Sequence, residues 1–237
     1  MTASLTIKLY MDGAEIDTMK RLHAEGSVQG FTTNPTLMRK AGVSDYEKFA
    51  REAIAAIPDL PLSFEVFSDD IPDMEREARK IASWGGNTFI KVPITNTRRE
   101  STVPMIKKLA QEGFRLNVTA ILTLDQVRAV ADALNADTPA IVSVFAGRIA
   151  DTGRYPMPIM RESAALLKGL PKAELLWAST REFLNLYQAQ DAGCHIITVP
   201  PDILSKRKLA GSDLDDFSLD TVKMFFKDAT QAGFSIL

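Results

Sequence analysis

Thr88-Phe-Ile-Lys-Val-Pro-Ile94 is a short apolar run with a single lysine at its centre. Its length suits a strand, and its near-continuous apolar character suits a strand buried on both faces, as in a parallel sheet covered by helices. Seven comparable runs flank it, at 7–11, 28–32, 62–67, 115–120, 140–145, 174–178 and 196–199. Helix-like segments at 44–57, 72–84, 99–112, 123–134, 157–167 and 180–192 lie between most of them. Gly113, Gly169-Leu170-Pro171 and Gly193 punctuate the spaces before the fifth, seventh and eighth runs. Strand then helix, repeated without a linker or low-complexity stretch, predicts one α/β unit over residues 1–237, a single (β/α)8 (TIM) barrel; an open doubly wound sheet is the alternative if one strand assignment fails. A last helix is expected at about 214–233. Its face of Phe217, Val222, Phe225 and Phe226 suits contact with another subunit, so a homo-oligomer is expected.

With 237 residues, 46% of them hydrophobic and 24% charged, the chain can bury a large core. A net charge of −2, with cations scattered along the chain, offers no footprint for nucleic acid or an anionic membrane. No apolar run approaches the roughly 18 residues of a membrane span, and the N-terminus has no apolar h-region. The lone Cys194 sits among apolar neighbours, as a small buried hydrophobe does, which suits a reducing cytoplasm. His23 and His195 lack metal-ligand spacing with other candidates and are given no role; no metal is expected.

Polar residues inside the runs carry the functional signal. Strand alternation puts Lys91 on one face with Phe89 and Pro93, opposite Ile90 and Val92. If Ile90 and Val92 pack on helices, Lys91 looks into the barrel. Taking an ammonium out of water disfavours its charged form, and the neutral amine is the form that attacks carbonyls. The same parity puts Glu65 with Ser63, Asn117 with Thr119, and Ser143 with Phe145 on inward faces, while Asp12 and Ser179 follow the first and seventh runs. Strand after strand thus ends in a polar group, as an active site at the C-terminal face of a barrel requires. For a single inward hydroxyl, a bond to nearby backbone explains as much. For Lys91 the structural alternative is an ion pair with Glu65 or Asp12.

Several motifs occur in an order that resembles the transaldolase family over nearly the whole chain. Met11-Asp-Gly-Ala14, Gly30-Phe-Thr-Thr-Asn-Pro-Thr-Leu37 and Ile90-Lys-Val-Pro-Ile-Thr95 are similar to its first-, second- and fourth-strand signatures. Asn117-Val-Thr119, Ser143-Val-Phe-Ala-Gly-Arg-Ile149 and Ala178-Ser-Thr-Arg181 are similar to those of the fifth, sixth and seventh. The resemblance implies that Lys91 forms a Schiff base with a ketose phosphate, that Asp12 is the general acid and base, and that Glu65 works through a catalytic water. It implies substrate contacts from Thr33, Asn34, Asn117, Thr119, Ser143 and Phe145, and phosphate contacts from Arg148, Ser179 and Arg181. For the two arginines the residues alone favour ordinary salt bridges. Sugar phosphates are the implied partners, with no cofactor.

The chain has the size of the small-chain branch, which also contains fructose-6-phosphate aldolases. Glu65 stands where those aldolases resemble one another in having glutamine, and Phe145 where they have tyrosine, so transfer is expected over release of dihydroxyacetone. A non-catalytic sugar-phosphate-binding barrel is the third reading. Two features depart from the pattern: Ser-Thr-Arg at 179–181 replaces a more familiar Ser-Phe-Arg, and Trp84 and Trp177 add bulk with no assigned purpose. The stretch 151–156, after the sixth run, is expected to lie over the pocket.

Overall fold

The computed structural model describes residues 5–236. Strands β1 (Lys8–Asp12), β2 (Gly30–Thr32), β3 (Leu62–Glu65), β4 (Thr88–Pro93), β5 (Leu116–Ile121), β6 (Ala140–Val144), β7 (Ala173–Trp177) and β8 (Ile196–Val199) fall on the eight apolar runs. They pair in parallel and in sequence order, and β1 closes on β8 in the register Lys8↔Ile196 to Met11↔Val199. The sheet is therefore a closed (β/α)8 barrel, which removes the open doubly wound alternative.

The helices are α1 (Ile16–Ala24), α2 (Pro35–Lys40), α3 (Tyr46–Ala56), α4 (Ile71–Ala82), α5 (Val103–Gln111), α6 (Leu124–Ala133), α7 (Ala146–Asp151), α8 (Met157–Leu166), α9 (Asn185–Asp191), α10 (Pro201–Leu204) and α11 (Leu214–Gln231). Asn34, Asp45, Asp70 and Thr123 each cap a helix start through the side chain, and Gln126 completes a capping box with Thr123. Two helices start later than the apolar periodicity indicates. The turn before α5 is held by the Asn96 side-chain oxygen, which accepts from the Arg98 and Glu100 amides at 3.0 and 2.9 Å. The turn before α9 is held by the Asn185 side-chain oxygen, which accepts from the Arg181 and Glu182 amides at 2.9 and 3.2 Å. Local bonds from asparagine outcompete helical ones there. Helices α1, α2, α7 and α10 had no place in the sequence reading. All but α1 are six residues or shorter, too short for a 3.6-residue period to register.

Side-chain parity divides the interior. Phe31, Phe64, Ile90, Val92 and Val118 point outward into one large core with Phe49, Met74, Ile106 and Leu109 from the helices. Tyr10, Phe89, Ile141, Leu176 and Ile196 point inward and plug the lumen. Gly30 makes room for the Tyr10 ring, since a Cβ there would lie 2.5 Å from the ring's Cζ. Fully burying one such aromatic stabilises the fold by about 1.5–3 kcal/mol, so the plug is a firm floor and leaves no pore. Among the described residues no helix is long and apolar enough to cross a membrane.

Candidate active site

Above that floor the strands end around a cavity of about 440 Å³. Neighbouring strands pair Glu65↔Lys91 and Lys91↔Asn117, which brings three polar side chains together on one inward wall. Lys91 is 7% exposed. Its Nζ donates to the Thr33 carbonyl at 2.5 Å and lies 3.3 Å from Glu65 Oε2, so the amine is held by one carbonyl and one carboxylate. Ile90 and Val92, its strand neighbours, are buried in the outer core, as parity requires.

Asp12 ends β1 on the same cavity. The Thr32 hydroxyl donates to its Oδ1 at 2.8 Å, and the Asn34 amide reaches its Oδ2 at 3.4 Å. Because the Thr32 proton goes to Asp12, the Thr198 hydroxyl 2.6 Å away is the donor to Thr32. Burial pushes the Asp12 carboxyl above its ordinary range. The Lys91 charge and the Thr32 hydrogen bond pull it back, and the Glu65 charge adds to the upward push. A carboxyl with that balance holds its proton to higher pH than an exposed aspartate does. Asn117 is fixed at both ends: its Oδ1 accepts from Ser143 Oγ at 2.7 Å and its Nδ2 donates to Ser63 Oγ at 3.1 Å. The ladder between β5 and β6 is irregular after Val118, where Ala120 takes a left-handed φ of 59°; Thr119 and Ala120 both line the cavity.

The other wall comes from the segments just past β6 and β7. Phe145, Arg148, Ser179 and Arg181 line it. The Gly147 amide donates to the Ala178 carbonyl at 3.3 Å, and a Cβ on Gly147 would lie 1.6 Å from the Ser179 carbonyl oxygen, so only glycine fits. Ser179 has φ 65°, a costly conformation for a residue with a side chain. The Arg148 guanidinium stands 5.9 Å from the centroid of the Phe145 ring. Arg181 is tied to Asp151, its Nε 3.0 Å from Oδ1 and its Nη2 2.5 Å from Oδ2.

The cavity gathers Asp12, Glu65 and Lys91, then Asn34, Asn117, Thr119, Ser143 and Phe145, and Arg148, Ser179 and Arg181. Thr33 is the exception. It is buried with its hydroxyl bonded to the Ser63 carbonyl at 3.0 Å, and it is its backbone carbonyl that meets Lys91. β2 parity explains this: Thr32, two positions beyond Gly30, is the inward threonine. Residues 151–156 do not line the cavity either; Asp151 meets it through its hydrogen bonds to Arg181. Ser63 faces inward with Glu65, as strand parity indicates, but Thr32, Thr198 and Tyr46 escaped the sequence reading. Parity identifies the two threonines as inward, whereas Tyr46 reaches the site from a helix and leaves no mark in a strand pattern.

Elsewhere, His23 Nε2 pairs with Asp59 at 2.7 Å and His195 Nδ1 accepts from the Leu175 amide at 3.0 Å. Trp177 is buried in the outer core, and Trp84 packs edge-on against Tyr46 and Phe64.

Fold and cavity together define a class: (β/α)8 barrels that hold a lysine amine among carboxylates at the C-terminal ends of their strands. The family model for transaldolase/fructose-6-phosphate aldolase matches residues 9–236. The chain belongs to that family, and is an enzyme of the transaldolase and aldolase kind. It is 34% identical to a probable transaldolase of Dehalococcoides mccartyi over 201 residues, covering 84% of this chain and 88% of that protein. It is 35% identical to probable transaldolase 2 of Listeria monocytogenes over 202 residues, 84% and 88% of the two chains. It is 33% identical to a probable transaldolase of a Thermoanaerobacter species over 225 residues, 93% of this chain and all of that one.

Proposed function

We propose that this chain is a transaldolase that moves a dihydroxyacetone unit from a ketose phosphate, sedoheptulose 7-phosphate or fructose 6-phosphate, to an aldose phosphate through an imine on Lys91. The observation that carries the reading is the buried Lys91 amine 3.3 Å from Glu65, in one cavity with Asp12. In this reading the amine attacks the keto carbon, and Glu65, through a water, moves protons as the carbinolamine loses water. Asp12 takes the proton of the C4 hydroxyl as the C3–C4 bond breaks, and the imine receives the electron pair as an enamine. The enamine attacks the acceptor aldehyde, Asp12 returns the proton to the new alkoxide, and hydrolysis frees Lys91. Asn34, Asn117, Thr119 and Ser143 orient the dihydroxyacetone unit. Arg148, Ser179 and Arg181 take the phosphate, where guanidinium forks suit its oxygens. Phe145 offers no hydroxyl to hold a water for protonating the enamine, which supports transfer over release. The substrates named belong to the pentose phosphate pathway. A cytoplasmic setting suits a lone cysteine, Cys194, that is buried with its thiol pushed up to about 12.

Borohydride reduction during turnover of fructose 6-phosphate, with and without an acceptor, tests the reading. The expected result is an adduct at Lys91 with product only when the acceptor is present, and loss of both in Lys91→Met by a factor on the order of 10⁴ or more. Free dihydroxyacetone without acceptor would make the chain an aldolase, and no adduct would sink the Schiff base.

The assembly is proposed to be a homo-oligomer. Helix α11 has no buried residue, and Phe226 on its apolar face is 74% exposed. Helices in proteins draw most of their stability from packing an apolar face, and a second copy of the chain is the partner that covers this one. Light scattering that finds a monomer removes this part of the proposal.

A further inference from the structure

The ladder between β2 and β3 stops early. Its last register pair is Thr32↔Ser63, with the Thr33 amide reaching the Ser63 carbonyl at 3.3 Å, and the chain then turns at Asn34 into α2. A parallel ladder carried one step further would have the Glu65 amide donate to the Thr33 carbonyl. Tyr46, from the first turn of α3, intervenes. Its phenol oxygen accepts from the Glu65 amide at 2.7 Å and its hydroxyl donates to the Glu65 carbonyl at 3.1 Å. One phenol thus serves the Glu65 amide, which a longer β2 would have served through the Thr33 carbonyl, and the Glu65 carbonyl, for which Pro35 at the next ladder position has no N–H to offer. The Thr33 carbonyl, released from the ladder, is the acceptor of Lys91 Nζ at 2.5 Å.

We infer that Tyr46 is a positioning residue for the lysine chemistry proposed above: it holds the strand segment that carries Glu65 and keeps the Thr33 carbonyl free to hold the Lys91 amine. The phenol is itself held, with its ring 4.5 Å from that of Phe67 and edge-on to Trp84 at 5.5 Å. Burial pushes its ionisation above the ordinary tyrosine range, so the hydroxyl keeps the proton it donates to Glu65. Without that hydroxyl, the acceptor that the parallel ladder offers the Glu65 amide is the Thr33 carbonyl. A buried amide does not stay unpaired. Lys91 then meets a backbone competitor at the carbonyl of its shortest contact.

Tyr46→Phe keeps the ring and removes the two bonds. The expected result is a fall in kcat of about tenfold with KM within about twofold of the parent, and a matching fall in the rate of borohydride trapping at Lys91. Phe67→Leu, which loosens the packing around the ring but touches neither bond, is expected to keep the parental kcat. A crystal structure of ligand-free Tyr46→Phe reads the positioning without any turnover: the Glu65 amide should be found on the Thr33 carbonyl and Lys91 Nζ displaced from it. Unchanged kcat, a rise in KM alone, or an unmoved Lys91 overturns the inference. A parent chain that forms no adduct overturns the Schiff-base reading instead, and the crystal structure still decides whether Tyr46 positions the amine.

Discussion

The wall of the cavity that holds Lys91 carries Asp12, Glu65 and Asn117 on strand residues too, whereas the opposite wall carries Arg148, Ser179 and Arg181 on segments just past β6 and β7. Asp12, Glu65, Lys91 and Asn117 sit at fixed register positions, each tied by hydrogen bonds to a neighbouring element. Arg148, Ser179 and Arg181 depend on a glycine contact, a left-handed serine and a surface ion pair. Under the function proposed above, the difference follows from what each wall is for. Proton and carbonyl chemistry tolerates little misplacement, and closed-barrel strands are the stiffest mounts available. A phosphate is doubly charged and is drawn from a distance, so long side chains on looser backbone suffice to take it.

Damage to the first wall is expected to cost most. Asp12→Asn keeps an acceptor for Thr32 but removes the proposed acid and base, and kcat is expected to fall about 10²- to 10⁴-fold in the coupled transfer assay. The same change should stabilise the protein. The folded state holds the Asp12 proton to higher pH than the ordinary value of 3.8, so between those values the folded state binds more protons than the unfolded one. Stability contributed by this group is therefore full below 3.8 and falls as pH rises through the raised value. The asparagine variant has no carboxyl to ionise and escapes that loss. Its melting temperature should exceed the parent's at pH 7, and the gap should close in acid. A gap that widens in acid would mean that the Lys91 charge outweighs burial at Asp12.

The second wall should fail differently. A methyl group on Gly147 meets the Ser179 carbonyl at 1.6 Å, and neither partner is a flexible side-chain tip, so the α7 start and the turn after β7 must move apart. Gly147→Ala is expected to lower kcat/KM about 10²-fold for a phosphorylated ketose, since a displacement of about 1 Å is enough for that. Imine formation between Lys91 and unphosphorylated dihydroxyacetone, read by borohydride trapping, should change little. Equal loss in both assays would show that the two walls are mechanically one.

The same contrast explains what the sequence reveals of the site. Strand number and the inward faces of Lys91, Glu65 and Asn117 follow from a period of two and a handful of apolar runs, because buried parallel strands permit few alternatives. Thr33 misleads because the last residue of a short strand and the residue just after it, both threonines, differ in little but parity, and Thr32 is the one that faces Asp12. The late start of α9 and the left-handed Ser179 leave no periodic trace, since they arise from bonds made by Asn185 and a contact made by Gly147. Tyr46 lies on a helix whose inward residues look like ordinary core. Nothing in its own segment signals that its hydroxyl finishes the strand ladder between Thr33 and Glu65.

The smallest effect should come from Asp151, which would compete with the substrate for Arg181 if that arginine takes the phosphate as proposed. The Arg181 hydrogen bonds, and then the charges of Arg181 and Arg148, hold the Asp151 carboxyl below its ordinary range. The ion pair is therefore complete above the ordinary value of 3.8 and weakens only as pH falls through the lowered one, so the competition operates at every pH where the enzyme is folded and active. Both side chains are about half exposed, 46% and 51%, which limits what the pair contributes. Asp151→Asn leaves the geometry of the turn but weakens the hold on the guanidinium. Inorganic phosphate, measured as an inhibitor competitive with the ketose phosphate, is expected to bind about two- to fivefold more tightly to this variant, the range an exposed pair permits. The gain should fade at about 1 M salt, where screening acts over about 3 Å. Weaker phosphate binding would mean that Asp151 orients Arg181 toward the anion and does not compete with it, making the second wall as pre-organised as the first.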